Sequence, residues 1–466
     1  MPTPSRDHNR LLPVDPGVQA IAHALYSSVA EAPIISPHGH VPAQWLHEDQ
    51  SFTDPANLFI THDHYVTRLL HANGVPLEAL GLGAQQADPR EVWDTLAAHW
   101  HKFAGTASAY WISESLARVF GVEEELTPET AHSIYDTVAA ALPTAALRPR
   151  ALFENFRIEV LATTDDPLDA LDAHSALASD ASFAGRVIPT FRPDAYLDPE
   201  AQGFSERVEQ LLATAGEGKA TFRTYLDALR ARRAYFIERG AVSADHGVYE
   251  PYTCELDAHT AEELFQGALA GNLDADSARE FRGHMLWQMA AMSVEDGLVM
   301  TIHPGVRRNH HTSTYETFGP DTGHDIPVRV EFTENLRPLL QSFGAAEGFH
   351  LVLFTIDEST YSRELAPLAG FYPSVFVGAP WWFIDAPDAM ARFRSAVTES
   401  AGFYRTSGFI DDTRAYLSIP ARHDVARRAD AGYLGRLVAE GRVSIATAER
   451  IMTDTVDAIP REVFKL

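Results

Sequence analysis

The sequence predicts an α/β fold, specifically a (β/α)₈ TIM-type barrel with a mostly helical insertion after strand 1 and C-terminal helices. Three observations carry that expectation. Eight short apolar runs bounded by turn signals recur along the 466 residues, helical patterns separate most of them, and each run ends in polar residues. In a parallel barrel those ends share one face, where the active sites of this architecture are found. A doubly wound open sheet would collect polar residues only near its switch point.

The runs are "APIIS" at 32–36, "IEVLATTDDP" from Ile158, "RVIPTFRPD" from Arg186 and "AVSADHG" from Ala241, then "LVMTIHPG" from Leu298, "HLVLFTIDE" from His350, "SVFVGAPWW" from Ser374 and "GFIDDTR" from Gly408. Between them, "DPLDALDAHSALA" offers Asp166 as N-cap, Pro167 at the first helical position, and Leu168 and Leu171 on one face. "DAPDAMARFRSAV" repeats the device, with Asp385 in the capping role. Residues 41–155 break the alternation and read as a helical insertion. There "REVWDTLAAHWHKF" spaces Val92, Trp93, Leu96, Trp100 and Phe103 along one core-facing stripe, and Thr127 with Pro128 opens a further helix. The expected division is a first segment and strand at 1–40, the insertion at 41–155, the rest of the barrel at 156–420 and C-terminal helices at 421–466. Within 200–240 two helices flank a flexible centre at Gly216 to Gly218.

Composition narrows the function. A formal charge of -27 excludes a protein that tracks nucleic-acid phosphates, and no apolar stretch is long enough to span a bilayer. The first residues lack the apolar core of a signal peptide, so the cytoplasm is the expected compartment. Cys254 is the only cysteine, which rules out a thiolate metal cluster. Lys102, Lys219 and Lys465 are the only lysines, leaving Schiff-base chemistry almost no nucleophile. A large acidic barrel is compatible with a homo-oligomer.

Metal would therefore fall to His, Asp or Glu. In the extended stretch after the first run, residues i and i+2 point the same way, so His38 and His40 project together. With the strand ends on one rim, His38, His40, His303 and one of Asp411 and Asp412 can converge from runs one, five and eight. Such a donor set suits one divalent ion, Zn²⁺ first, with Mn²⁺, Fe²⁺ and Co²⁺ as competitors, and calls for no organic cofactor.

Seven motifs in order, "HGH" at 38–40, "DHYVTRLLHANGV" at 63–75, "TTDDPLDALDAH" at 163–174, "IPTFRPD" at 188–194, "HPGVRRN" at 303–309, "PWWFID" at 380–385 and "DDTRAYLS" at 411–418, resemble the uronate (glucuronate) isomerases, a divergent branch of the amidohydrolase superfamily. The resemblance runs over nearly the whole chain. It implies interconversion of D-glucuronate with D-fructuronate and of D-galacturonate with D-tagaturonate. It also implies a metal on His38 and His40, with the strand-eight aspartate as third ligand or as base. The family's aspartate-x-arginine pattern falls on Asp412 and Arg414, and His64 and Tyr65 match residues that contact substrate. The stretch from His303 to Pro327 departs from the pattern, with extra histidines and its own downstream loop, and the stretch after "FTIDES" matches poorly.

Moving a carbonyl from C1 to C2 needs a base that reaches both carbons and a cation beside the developing oxyanion. Asp412 is the expected base, with Arg414 and the metal as stabilisers and Tyr65 or His64 as a donor during ring opening. Arg192 and Arg308 are candidates for the substrate carboxylate, since a guanidinium binds it bidentately. Asp165 and Trp381 are further candidates for substrate contact. The bland alternatives are a rim salt bridge for Arg192 with Asp194, a rim hydrogen bond for Asp165 and packing beneath the pocket for Trp381 and Trp382. Two rival classes remain: a mononuclear metal-dependent hydrolase of the same superfamily, and a sugar-acid binding protein without chemistry. A carboxylated lysine bridging two metals has no candidate in the fourth run.

Overall fold

Seven of the eight apolar runs become strands, because β-branched and aliphatic residues in short runs can be covered on both faces. The computed structural model describes residues 7–84, 87–214, 216 and 219–466. Its strands are β1 (Ile34–Ser36), β2 (Ile158–Ala162), β3 (Arg186–Ile188), β4 (Ser243–His246), β5 (Val299–Ile302), β6 (Val306–Arg307), β7 (Ile326–Pro327), β8 (Leu351–Leu353) and β9 (Val375–Val377). Two parallel sheets run β1-β2-β3 and β4-β5-β8-β9, while β6 and β7 form a small antiparallel pair. Phe191 bridges to Asp165 on one side and Ala244 on the other, so the chain beyond β3 links the two sheets.

The eighth run forms no ladder among the described residues. Gly408 sits at φ +73° and Asp412 at φ +43°, both outside extended geometry. The run is nonetheless tied at both ends: Thr406 bridges to Val377, and the His40 N–H donates to the Thr413 carbonyl at 3.0 Å.

Each face of the β1-β2-β3 sheet packs on a different core. Ile34, Ile158, Leu161 and Val187 join the core of the helical insertion, whereas Ile35, Val160, Ala162 and Ile188 form a separate inner cluster. The insertion is helical as expected, with Val92, Trp93, Leu96, Trp100 and Phe103 all buried in its core.

Three helix starts differ from the sequence expectation. The helix after β2 begins at Asp172, because Asp166 turns the chain by accepting from the Leu168 N–H at 2.9 Å and is held by the Tyr196 hydroxyl at 2.7 Å. The helix Pro387–Ala401 starts from Ala386 with no side-chain cap, since the Asp385 carboxylate turns inward to Arg422. Thr127 and Thr130 bond to each other in a preceding turn, so that helix opens at Ala131. The helices Phe204–Thr214 and Phe222–Ile237 flank the expected Gly216 to Gly218 centre, of which residues 217 and 218 lie outside the described residues. The chain closes with helices Ile419–Ala439, Ile445–Val456 and Ala458–Phe464. Among the described residues no helix is long and apolar enough to cross a membrane.

Candidate active site

The tripeptide His38-Gly39-His40 leaves β1 clamped by its neighbours. The Thr164 hydroxyl donates to the Gly39 carbonyl at 2.9 Å from the end of β2, and the His40 N–H bonds Thr413 from the eighth run. Those restraints set the two imidazoles edge to face, with centroids 5.3 Å apart. Both Nε2 atoms face one oxygen: Asp412 Oδ1 lies 3.3 Å from His38 and 2.9 Å from His40. Asp412 reaches that position from a left-handed backbone, a conformation that costs a non-glycine residue about 1–2 kcal/mol. Burial alone would raise its pKa, but the two histidines hold it well below the usual carboxylate range. His40 is driven toward its neutral form by burial.

These donors fit a cation. Zn–N and Zn–O bonds of about 2.0–2.2 Å place tetrahedral donors about 3.3 Å apart, close to the two distances above. Asp412 Oδ1 is also fully buried without a hydrogen bond. The ligand atoms of His38, His40 and Asp412 lie within 4.8 Å of one another, and so do those of His38, Asp245 and His303.

His303 belongs to this second group and lies outside the first. Its Nδ1 donates to Asp245 Oδ1 at 2.6 Å, its ring stacks on His38 at 4.7 Å, and its Nε2 is buried without a partner. Thr301 also donates to Asp245, and Arg192 Nη1 lies 3.5 Å from the other carboxylate oxygen. Burial would raise Asp245, yet His303, His38 and Arg192 hold it well below its ordinary value. Arg192 keeps its bridge to Asp194 at 2.8 Å and still lines the cavity, so its two roles coexist. Gly247 makes this possible, for a Cβ there would lie 2.3 Å from Arg192 Nη2.

The insertion supplies the opposite wall. Asp63 caps the helix His64–Ala72 by accepting from the Tyr65 N–H, which turns His64 and Tyr65 into the cavity. Burial, then the positive Arg414, pushes His64 down to about 4, and its Nε2 has no partner. Burial pushes the Tyr65 phenol up. Behind Tyr65, Arg422 and Asp385 form an ion pair with both side chains 2% exposed. Arg192, Arg308, Arg414 and Arg422 all line the cavity of about 800 Å³, with Trp381 and Trp382 in its wall.

Asp165 is not among the lining residues. It accepts from Thr163 Oγ1 at 2.6 Å and from the Thr190 N–H at 3.2 Å, and burial raises it to about 7. Sequence reasoning passed over Thr164, Asp321 and Arg422. Thr164 stood within the quoted "TTDDP", but its partner, a backbone carbonyl of another run, leaves no signature in sequence.

Parallel strands whose C-terminal ends gather imidazoles, carboxylates and arginines around one cavity define the class: an α/β enzyme with a candidate metal centre. Within it, the chain belongs to the glucuronate isomerase family, whose model matches residues 18–461. A uronate isomerase of Corynebacterium efficiens is 51% identical over 460 residues, covering 98% of both chains. One from Cutibacterium acnes is 47% identical over 468 residues, covering 100% of this chain and 99% of that one. The crystal structure of glucuronate isomerase from Caulobacter crescentus superposes with a TM-score of 0.96 at 45% identity, covering 98% of this chain and 96% of that one.

Proposed function

We propose that this enzyme is a uronate isomerase that interconverts D-glucuronate with D-fructuronate and D-galacturonate with D-tagaturonate by proton transfer through an enediol. The observation that carries the reading is the Asp412 carboxylate, shared by His38 and His40 and facing a cavity with four arginines. Asp412 takes the C2 proton; the C2–H electron pair becomes the C1=C2 bond while the carbonyl pair moves onto O1. Return of a proton from Asp412 to C1, while the O2 proton passes to O1 and the O2–H pair becomes the C2=O bond, leaves the ketone beside a C1 hydroxymethyl. Arg414 faces the developing oxyanion, Arg192 and Arg308 take the substrate carboxylate, and Tyr65 or His64 donates to the ring oxygen during opening. Trp381 packs against the sugar, and Asp165 holds the rim beyond β2 and β3 through Thr163 and Thr190. His38, His40 and Asp412, with His303 beside His38, would hold a divalent ion, which we assign as Zn²⁺ and which would supply positive charge to the developing oxyanion.

The same reading includes a closed (β/α)₈ barrel, supported by the Phe191 bridges and the His40 to Thr413 bond, with the division at 1–40, 41–155, 156–420 and 421–466 and a cytoplasmic setting. The hydrolase alternative has no observation in its favour. The test is incubation with D-glucuronate in deuterated water, followed by proton NMR. Ketouronate carrying deuterium at C1 is the expected product; unlabelled product would replace the enediol with a hydride shift, and no conversion of either uronate would overturn the assignment.

A further inference from the structure

The loop between β6 and β7 returns to the site. Residues 310–328 carry the helix Thr312–Phe318 and end in β7, and the segment after that helix is pinned against the insertion. Gly323 packs so tightly that a Cβ would lie 2.5 Å from Arg68 Cβ, and buried Asp325 takes Arg308 Nη1 at 2.9 Å and the Asn309 N–H at 2.7 Å. Just before these anchors Asp321 projects into the cavity and meets Arg414 Nη1 at 2.9 Å. Arg308 and His64 face the same carboxylate.

The four arginines of the cavity differ in how firmly they are engaged. Arg422 is locked to buried Asp385, Arg192 to Asp194 with Asp245 behind it, and Arg308 to Asp325, which is 6% exposed. Only in the Arg414 to Asp321 pair are both side chains more than a third open to solvent, at 44% and 37%. An exposed pair contributes at most about 1 kcal/mol, so another anion can break it. Since the surrounding backbone is anchored, the exchange needs only a side-chain rotation.

We propose that Asp321 is a specificity-determining residue: it holds Arg414 away from the reaction in the substrate-free enzyme, and the carboxylate of an incoming hexuronate, arriving at Arg308, repels it and frees Arg414 for the sugar oxygens. This rests on the isomerase reading above. A neutral sugar of the same shape leaves Asp321 in place, so discrimination comes from a repulsive element as well as an attractive one.

The test compares D-glucuronate with D-glucuronamide, its neutral counterpart, in the wild type, Asp321→Asn and Asp321→Glu. For Asp321→Asn, the ratio of kcat on the amide to kcat on glucuronate should rise by about fivefold, the exposed pair's worth; Asp321→Glu should keep wild-type discrimination. Equal losses on both substrates would make Asp321 merely a positioning residue for Arg414, and an unchanged ratio would also overturn the proposal. If the wild type converts neither uronate, the isomerase reading fails separately. Calorimetric titration with D-glucarate, which has no aldehyde, then decides: Asp321→Asn should bind it more tightly, and equal affinity would overturn the exchange. Melting temperatures confirm that the variants fold.

Discussion

Asp412 and Thr164 bear the residue-scale claims. Replacing Asp412 by Asn keeps the volume but removes the proton acceptor, so kcat should fall by roughly a hundredfold to ten-thousandfold without loss of the melting transition; a variant within tenfold of wild type would end the base assignment. Thr164→Val removes the hydroxyl that fixes Gly39 between the two histidines. Stability should drop by about 1 kcal/mol, and cation affinity by roughly tenfold or more, the usual effect of an outer partner; equilibrium dialysis against zinc reads it. The meeting of His38, His40 and Asp412 was legible because each sits immediately beyond a run that the fold brings to one rim. Asp321 and Arg422 were not, since their partners are set by tertiary packing: one lies in the loop between the helix Thr312–Phe318 and β7, the other in the first turn of the helix Ile419–Ala439. Arg192 shows the middle case, where a salt bridge and a place in the cavity wall were posed as alternatives and the geometry allows both.

At the scale of elements, apolar runs and turn signals located seven strands, and the unusual run from Gly408 is the one that carries the candidate base. Its left-handed residues trade a ladder for the placement of Asp412. Capping signals failed at Asp166 and Asp385 for one reason: a carboxylate suited to capping was recruited by a distant partner, Tyr196 or Arg422. The loop before β7 depends on Gly323, at φ +96° with Arg68 and the His64 carbonyl pressing on it. Gly323→Ala should cost about 1–3 kcal/mol in chemical denaturation and raise KM for the uronate, because the wall bearing Asp321 shifts. A silent substitution would mean that the loop is not anchored there.

For the whole molecule, buried neutral histidines make the fold acid-sensitive. His246 is fully buried, which lowers it to about 4 from 6.5. A depressed folded value means that its share of stability is complete above pH 6.5 and is lost as pH falls through about 4, an upper bound of about 3 kcal/mol. His174, also lowered to about 4 by burial, acts in the same sense, whereas Asp165, raised to about 7, contributes stability below pH 3.8 that is lost as pH rises through 7. Those two neighbours largely offset each other, so His246→Asn should flatten the fall in melting temperature between pH 6.5 and 4; an unchanged slope would refute the assignment. The most direct measurement of the central claim is the metal content of the purified protein beside folded His40→Asn and Asp412→Asn variants. One tightly held divalent ion per chain in the wild type, lost from both variants, is the expected result. A wild type that retains none after saturation, or variants that retain it undiminished, would contradict the meeting of these residues around a cation.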